Sequence, residues 1–427
     1  MHKKIIEFIK KEKIFHSSIL LVSSTLILYL CNFFYHFYTG RVLGPENYSI
    51  IGSLFSLIYV IFVPFNAIQI SVTKFVSEFN VKNEQGKIKF LLTRSLKKLF
   101  IYGIFITIFF MLISPFISNF LNIPSYAPVM ILGLVIFASL LLPVTRGVLQ
   151  GLQSFKKFGI NMASEGITKV IFTVLLVSVG FGVNGATLAL VLSFSFAFLF
   201  TLWQLRDIFK YKEIEIETKQ VYKYSWPVLI TFLALTLIFS LDILLVKHFF
   251  DPIQAGYYAA LSLIGKIVYF TSFPVIQVMF PMVSEANIKK QHKKELIGLL
   301  FKAMLIIFLI CLGITGFYFI FPNFMVNLLF GADYSSIIPL IGYFGIFMSL
   351  FSLVYLFAFY NLSLNQKGFI PLLVLTNILE IIVIYLFHNT ILQIITSLSM
   401  LTFLLLISLV IYTFYKHGKT ISNNSSV

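Results

Sequence analysis

The chain has 427 residues, 59% of them hydrophobic and only 11% charged, against roughly 25% charged residues in a soluble domain. That balance excludes a water-soluble enzyme or binding module and describes a polytopic membrane protein. The surplus of +16 collects in short loops between apolar runs, where it sets orientation and meets anionic lipid, so it does not point to nucleic acid.

Met1 to Lys13 is basic and leads into an apolar run without an Ala-x-Ala pattern, which reads as an uncleaved first span. A hydrocarbon core of ~30 Å needs about 20 apolar residues per crossing. Runs of that size predict about twelve spans, at 17–39, 48–77, 99–121, 128–152, 159–180, 185–205, 226–249, 256–284, 297–321, 337–361, 370–388 and 391–415. Lipid offers the backbone no hydrogen-bond partner, so the spans must be helices, and the fold class is all-α. Basic residues crowd alternate loops, from Lys3 to Lys13, Lys82 to Lys98, Lys156 with Lys157, Arg206 to Lys223, and Lys289 to Lys294. By the positive-inside rule that side is cytoplasmic, both termini with it, in a multi-pass protein of the cell (plasma or inner) membrane. Only Arg41 and Lys247 lie on the opposite side. Cys31 and Cys311 fall inside apolar runs and read as small core hydrophobes.

One polar turn, Gly40-Arg41-Val42-Leu43-Gly44-Pro45-Glu46-Asn47-Tyr48, has a counterpart at Lys247-His248-Phe249-Phe250-Asp251-Pro252 through Tyr258. Each is followed by a Pro-interrupted apolar run. Each run exits at Val-Ser-Glu, at Val76-Ser77-Glu78 and Val283-Ser284-Glu285, equally far beyond Pro45 and Pro252. This spacing predicts a duplicated module: an N-terminal six-helix bundle over 1–208, a cytoplasmic linker over 209–225, and a C-terminal six-helix bundle over 226–427. An even number of spans per half gives parallel, pseudo-symmetric repeats.

Several chemistries find no support. Gly265-Lys266 is followed by Ile267 where a phosphate-binding loop needs Ser or Thr, and no His, Cys, Asp or Glu cluster has metal-ligand spacing, so neither cofactor nor metal is expected. The informative residues are charges inside spans, which cost about 2.5–3.5 kcal/mol each and usually face a partner or a cavity. Glu165 and Lys169 lie one turn apart with Asn161 a turn earlier, as a structural or a cavity-lining pair. Asp242 and Glu380 are isolated acids that suit either an ion-coupling site or a buried salt bridge. Polar stripes run along span eight (Ser262, Lys266, Tyr269, Phe273, Gln277), span two (Asn66, Gln69, Thr73, beside Lys74) and span one (Thr25, Tyr29, Asn32, His36). Arg146 and Lys302 are expected to snorkel to the interface.

The Gly40 to Tyr48 turn, the following span with its mid-helix Pro64 and the exit into a basic loop resemble the Wzx-type polysaccharide-export flippases. These belong to the multidrug/oligosaccharidyl-lipid/polysaccharide (MOP) superfamily. The resemblance implies two MATE-like six-helix bundles around a partly cationic cavity that flips an undecaprenyl- or dolichyl-pyrophosphate-linked oligosaccharide outward. By type and depth the substrate-binding candidates are Arg41, Lys74, Lys169, Lys247 and Lys266, with Asn66, Gln69 and Gln277; Asp242, Glu165 and Glu380 are ion-coupling or structural charges. H+ or Na+ would be the coupling ion, and a polysaccharide polymerase and glycosyltransferases the protein partners. A cation-coupled multidrug exporter and a membrane-embedded glycosyltransferase or polymerase are the alternatives. The bare outer loops disfavour an enzyme.

Overall fold

A computed structural model describes residues 2–216, 226–289 and 293–424, and among these there are helices and no strand. Helix α1, His2–Val81, is broken at Gly44, whose φ of 73° lies in the left-handed region that glycine adopts without a Cβ penalty. The polar turn seen in the sequence is therefore a joint between two spans. Helices α2 (Gln85–Phe120), α3 (Ala127–Gly151) and α4 (Phe155–Leu176) follow. A π-helical turn at Val177–Phe181, with Gly180 at φ 96°, leads from α4 into α5 (Gly182–Gln204).

Beyond the linker come α6 (Trp226–Phe249), α7 (Pro252–Ile288), α8 (Lys293–Ile320), the short α9 (Pro322–Leu329), α10 (Ile341–Ser363), α11 (Ile370–Leu386) and α12 (Ile391–Asn424). Among the described residues nine stretches are long and apolar enough to cross a membrane. Two of them, Ser23–Val81 and Phe155–Gln204, contain the turn glycines and amount to two spans each. The shorter apolar helix Ile370–Leu386 completes the twelve.

The helices form two compact units. The first holds Met1–Leu43 and Ile61–Ser225, the second Gly44–Val60 and Trp226–Val427. The boundary thus passes through the middle of α1, and residues 44–60 pack with the second unit.

In the first unit, small residues let helices approach closely, as association inside lipid requires. A Cβ on Gly147 would meet the Gln69 carbonyl and the Val72 side chain, and one on Gly151 would meet Val76. Around this crossing Val72, Val76, Ile88, Leu91, Leu92, Val144 and Val148 form a buried cluster. Gln69 donates from Nε2 to Gln150 Oε1 at 2.9 Å, and the Thr73 hydroxyl lies 3.2 Å from the same oxygen. The start of the linker folds back on α2: Lys89 Nζ donates to the carbonyls of Phe209 and Tyr211, and Ile214 N–H to that of Gly86. The rest of it, with Lys219 and Lys223, lies outside the described residues, as do the side chains of Lys3 to Lys13, Lys290 and Lys293.

In the second unit the two polar turns singled out in the sequence meet. A Cβ on Gly256 would run into the backbone carbonyl of Pro45, and one on Gly52 into Ala259. Tyr48 is buried, its ring 5.3 Å from that of Phe330 and 6.4 Å from that of Tyr334.

Candidate functional site

Each unit buries one cluster of charged side chains. In the first, α4 presents Asn161, Glu165 and Lys169 at successive turns of one face, as their spacing predicts, and α3 and α1 supply the partners. Arg146 does not snorkel. It turns inward, with Nη2 2.7 Å from Glu165 Oε2 and Nε donating to Asn161 Oδ1 at 2.8 Å. Asn161 is itself held by donation from Nδ2 to the Ala197 carbonyl at 2.8 Å. Glu165 Oε1 lies 3.6 Å from Lys169 Nζ, which donates to Asn32 Oδ1 at 2.6 Å and sits 5.6 Å from the centroid of the Phe194 ring. Burying ions costs several kcal/mol each unless geometry and further hydrogen bonds compensate. Here Glu165 touches both bases, Asn161 and Asn32 take remaining protons, and the set carries one net positive charge.

The second cluster holds more acids than bases. Asp242 on α6, Tyr258 and Lys266 on α7 and Glu380 on α11 are all buried. Tyr258 donates its hydroxyl proton to Asp242 Oδ2 at 2.8 Å. Lys266 is within electrostatic reach of both carboxyls, but its Nζ makes no hydrogen bond and stands 4.2 Å from the Phe239 ring centroid. Asp242 Oδ1 and both Glu380 oxygens are also without a hydrogen-bond partner. One turn from Lys266, and one turn from Glu380, Ser262 Oγ and Asn377 Oδ1 share that condition. Buried polar atoms are nearly always satisfied, so this concentration of orphaned oxygens marks a place suited to a proton, a monovalent cation or water. No group of three His, Cys, Asp or Glu side chains that could hold a metal occurs among the described residues.

The remaining sequence candidates divide by exposure. Lys247 is 2% exposed, and the charges nearest it are Glu46 and Asp251. Asp251 caps α7 by accepting from the N–H groups of Ile253 and Gln254. Lys247 is thus built into the paired turns. Gln69 is half-buried against Gln150, whereas Arg41, Asn66, Lys74 and Gln277 are exposed. The polar stripe on α7 therefore runs from core to surface, with Ser262 and Lys266 buried and Gln277 exposed. Sequence reasoning missed Tyr258 and the inward turn of Arg146. Their partners lie 16 and 19 residues away on neighbouring helices, beyond any local periodicity.

A family model described as polysaccharide biosynthesis protein matches residues 40–339. The chain belongs to this family. As a polysaccharide biosynthesis family protein it is 24% identical, over 286 residues, to an uncharacterised membrane protein of Methanocaldococcus jannaschii, a match covering 63% of this chain and 68% of the relative. Its fold is that of the MOP superfamily. An inward-facing multidrug resistance MATE transporter superimposes with a TM-score of 0.79 at 15% identity, over 94% of this chain and 98% of that one. The lipid II flippase MurJ in an inward closed conformation gives 0.71 at 13% identity, over 93% and 87%. A MOP superfamily transporter of Pyrococcus furiosus gives 0.67 at 15%, over 94% and 95%. The fold and family expected from the Gly40 to Tyr48 turn are thereby borne out.

Proposed function

We propose that this protein is a flippase that carries a polyprenyl-pyrophosphate-linked oligosaccharide from the cytoplasmic to the outer leaflet of the cell membrane by alternating access. H+ or Na+ at the Asp242, Lys266 and Glu380 cluster is the coupling ion. One observation carries the reading: a member of a polysaccharide biosynthesis family, built on a transporter fold, buries a carboxyl group, Glu380, with neither oxygen hydrogen-bonded. Such a group has a use in a protein that must bind and release an ion during each cycle.

The cargo's physics fits the rest. Its tail is at home in lipid, but the sugar hydroxyls and phosphates cannot enter hydrocarbon without replacement of their water. Exposed polar groups in otherwise apolar helices supply that replacement: Asn66 and Lys74 lie on one face of α1, with Arg41 and Gln277 further contacts. Lys169 and Lys266 act from inside their bundles, where they fix the local charge. With the basic loops in the cytoplasm and the inside negative, moving about two anionic charges outward releases roughly 4.6 kcal/mol per 100 mV. Glycosyltransferases would supply the cargo and a polymerase consume it.

The test is a reconstituted assay in which a fluorescent lipid-linked oligosaccharide, loaded in the inner leaflet of proteoliposomes, becomes accessible to a membrane-impermeant quencher. Protein-dependent exposure supports the flippase. Uptake of a cationic dye without cargo exposure would establish the multidrug reading, which the two acids of the second cluster favour, and glycosyl transfer by the purified protein would establish the polymerase reading.

A further inference from the structure

On the first unit, α2 and α5 both pack on α3 and leave between them a groove of about 630 Å³. Its floor is Ala138 and Leu141 of α3, and its walls include Phe100 and Ile101 of α2 with Phe198 and Leu199 of α5. Phe100 and Phe137 meet edge-to-face at 5.4 Å between centroids. At Gly103 α2 packs closely on α3, since a Cβ there would stand 3.0 Å from Phe137 and 3.2 Å from Leu140. From Lys97 to Gly103 is six residues, about 9 Å along the helix.

The other end is charged. Lys97 lines the mouth, Arg94 is exposed one turn before it on α2, and Arg206 is stacked over Trp203, one turn beyond Leu199 on α5. A tryptophan and bases at the end of apolar helices are the usual markers of the headgroup level of a bilayer. We propose that this groove holds one acyl chain of an anionic phospholipid whose phosphate is gripped by Lys97 and Arg94. A groove about 9 Å long takes a segment of one acyl chain. Charge chooses the headgroup, because a zwitterionic lipid would leave the bases at the mouth uncompensated. The site is independent of the proposed cargo route.

The chain has two tryptophans, so Trp226→Phe in the full-length protein leaves Trp203 as a reporter beside the mouth. It is reconstituted in phosphatidylcholine vesicles containing a small fraction of brominated-chain lipid with either a phosphatidylglycerol or a phosphatidylcholine headgroup. Bromine quenching of Trp203 should show an affinity for the glycerol lipid about thirtyfold above the choline lipid, the preference expected of two bases near the surface. Lys97→Gln should cut that preference about fivefold. Ala138→Phe, which fills the floor, should lower quenching by either lipid, and Lys97→Gln keeps the test meaningful if the larger side chain disturbs folding. Quenching equal for the two headgroups would overturn the proposal. So would displacement of the brominated lipid by an equimolar polyprenyl phosphate, which would assign the groove to the cargo's tail.

Discussion

The backbone carbonyl of Pro45 occupies the place into which a side chain on Gly256 would have to project. These two residues belong to the two polar turns that the sequence pairs. Gly256→Ala removes the propensity cost of a helical glycine, about 1 kcal/mol, but drives a methyl group into backbone that cannot rotate away, at about 1–3 kcal/mol or more. The clash wins. Thermal unfolding in detergent should shift down for Gly256→Ala, whereas Gly298→Ala, with nothing near its Cβ, should be neutral or stabilising.

The buried network of the first unit makes a second prediction. Arg146→Met leaves Glu165 with only the longer contact to Lys169, and Glu165→Gln leaves two buried bases without a carboxylate, so each single change should cost about 3 kcal/mol of stability. Replacing both with uncharged groups removes the pair together, and the double variant should recover part of that loss. A double-mutant cycle on thermal stability measures the coupling, and additive losses would mean that the 2.7 Å contact between Arg146 and Glu165 is energetically idle.

Tyr258→Phe deletes the hydrogen bond to Asp242 and leaves that buried carboxyl without a side-chain donor. A bond to a charged group contributes about 1.5–3 kcal/mol, so the variant should be destabilised by that order. Asp242→Asn restores part of the stability in the Tyr258→Phe background, because a neutral amide is cheaper to leave unsatisfied. Thermal unfolding of the two single variants and the double checks both statements.

Much of this was legible before any coordinates. Gly44 with Pro45 announced a joint, and Asp242 and Glu380 stood out because acids are expensive in apolar runs. The environment of each charge was not legible, since it depends on which helices become neighbours. Lys169 finds Asn32 across 137 residues, and Arg146, a few residues from the end of its helix, gives no local sign that it will turn inward toward Glu165 rather than outward to water. The place of Lys247 in the turn suggests a substrate-binding cation on the outer side; its burial with Glu46 nearby follows from the packing of residues 44–60 with the second unit.

The role given to Glu380 yields the last prediction. In proteoliposomes loaded with fluorescent lipid-linked oligosaccharide, exposure of the label should quicken when a proton or sodium gradient is imposed. Glu380→Gln, inserted at wild-type levels, should lose that acceleration while retaining any gradient-independent exposure. Unchanged gradient dependence in Glu380→Gln would contradict the assignment of ion coupling to the cluster of the second unit.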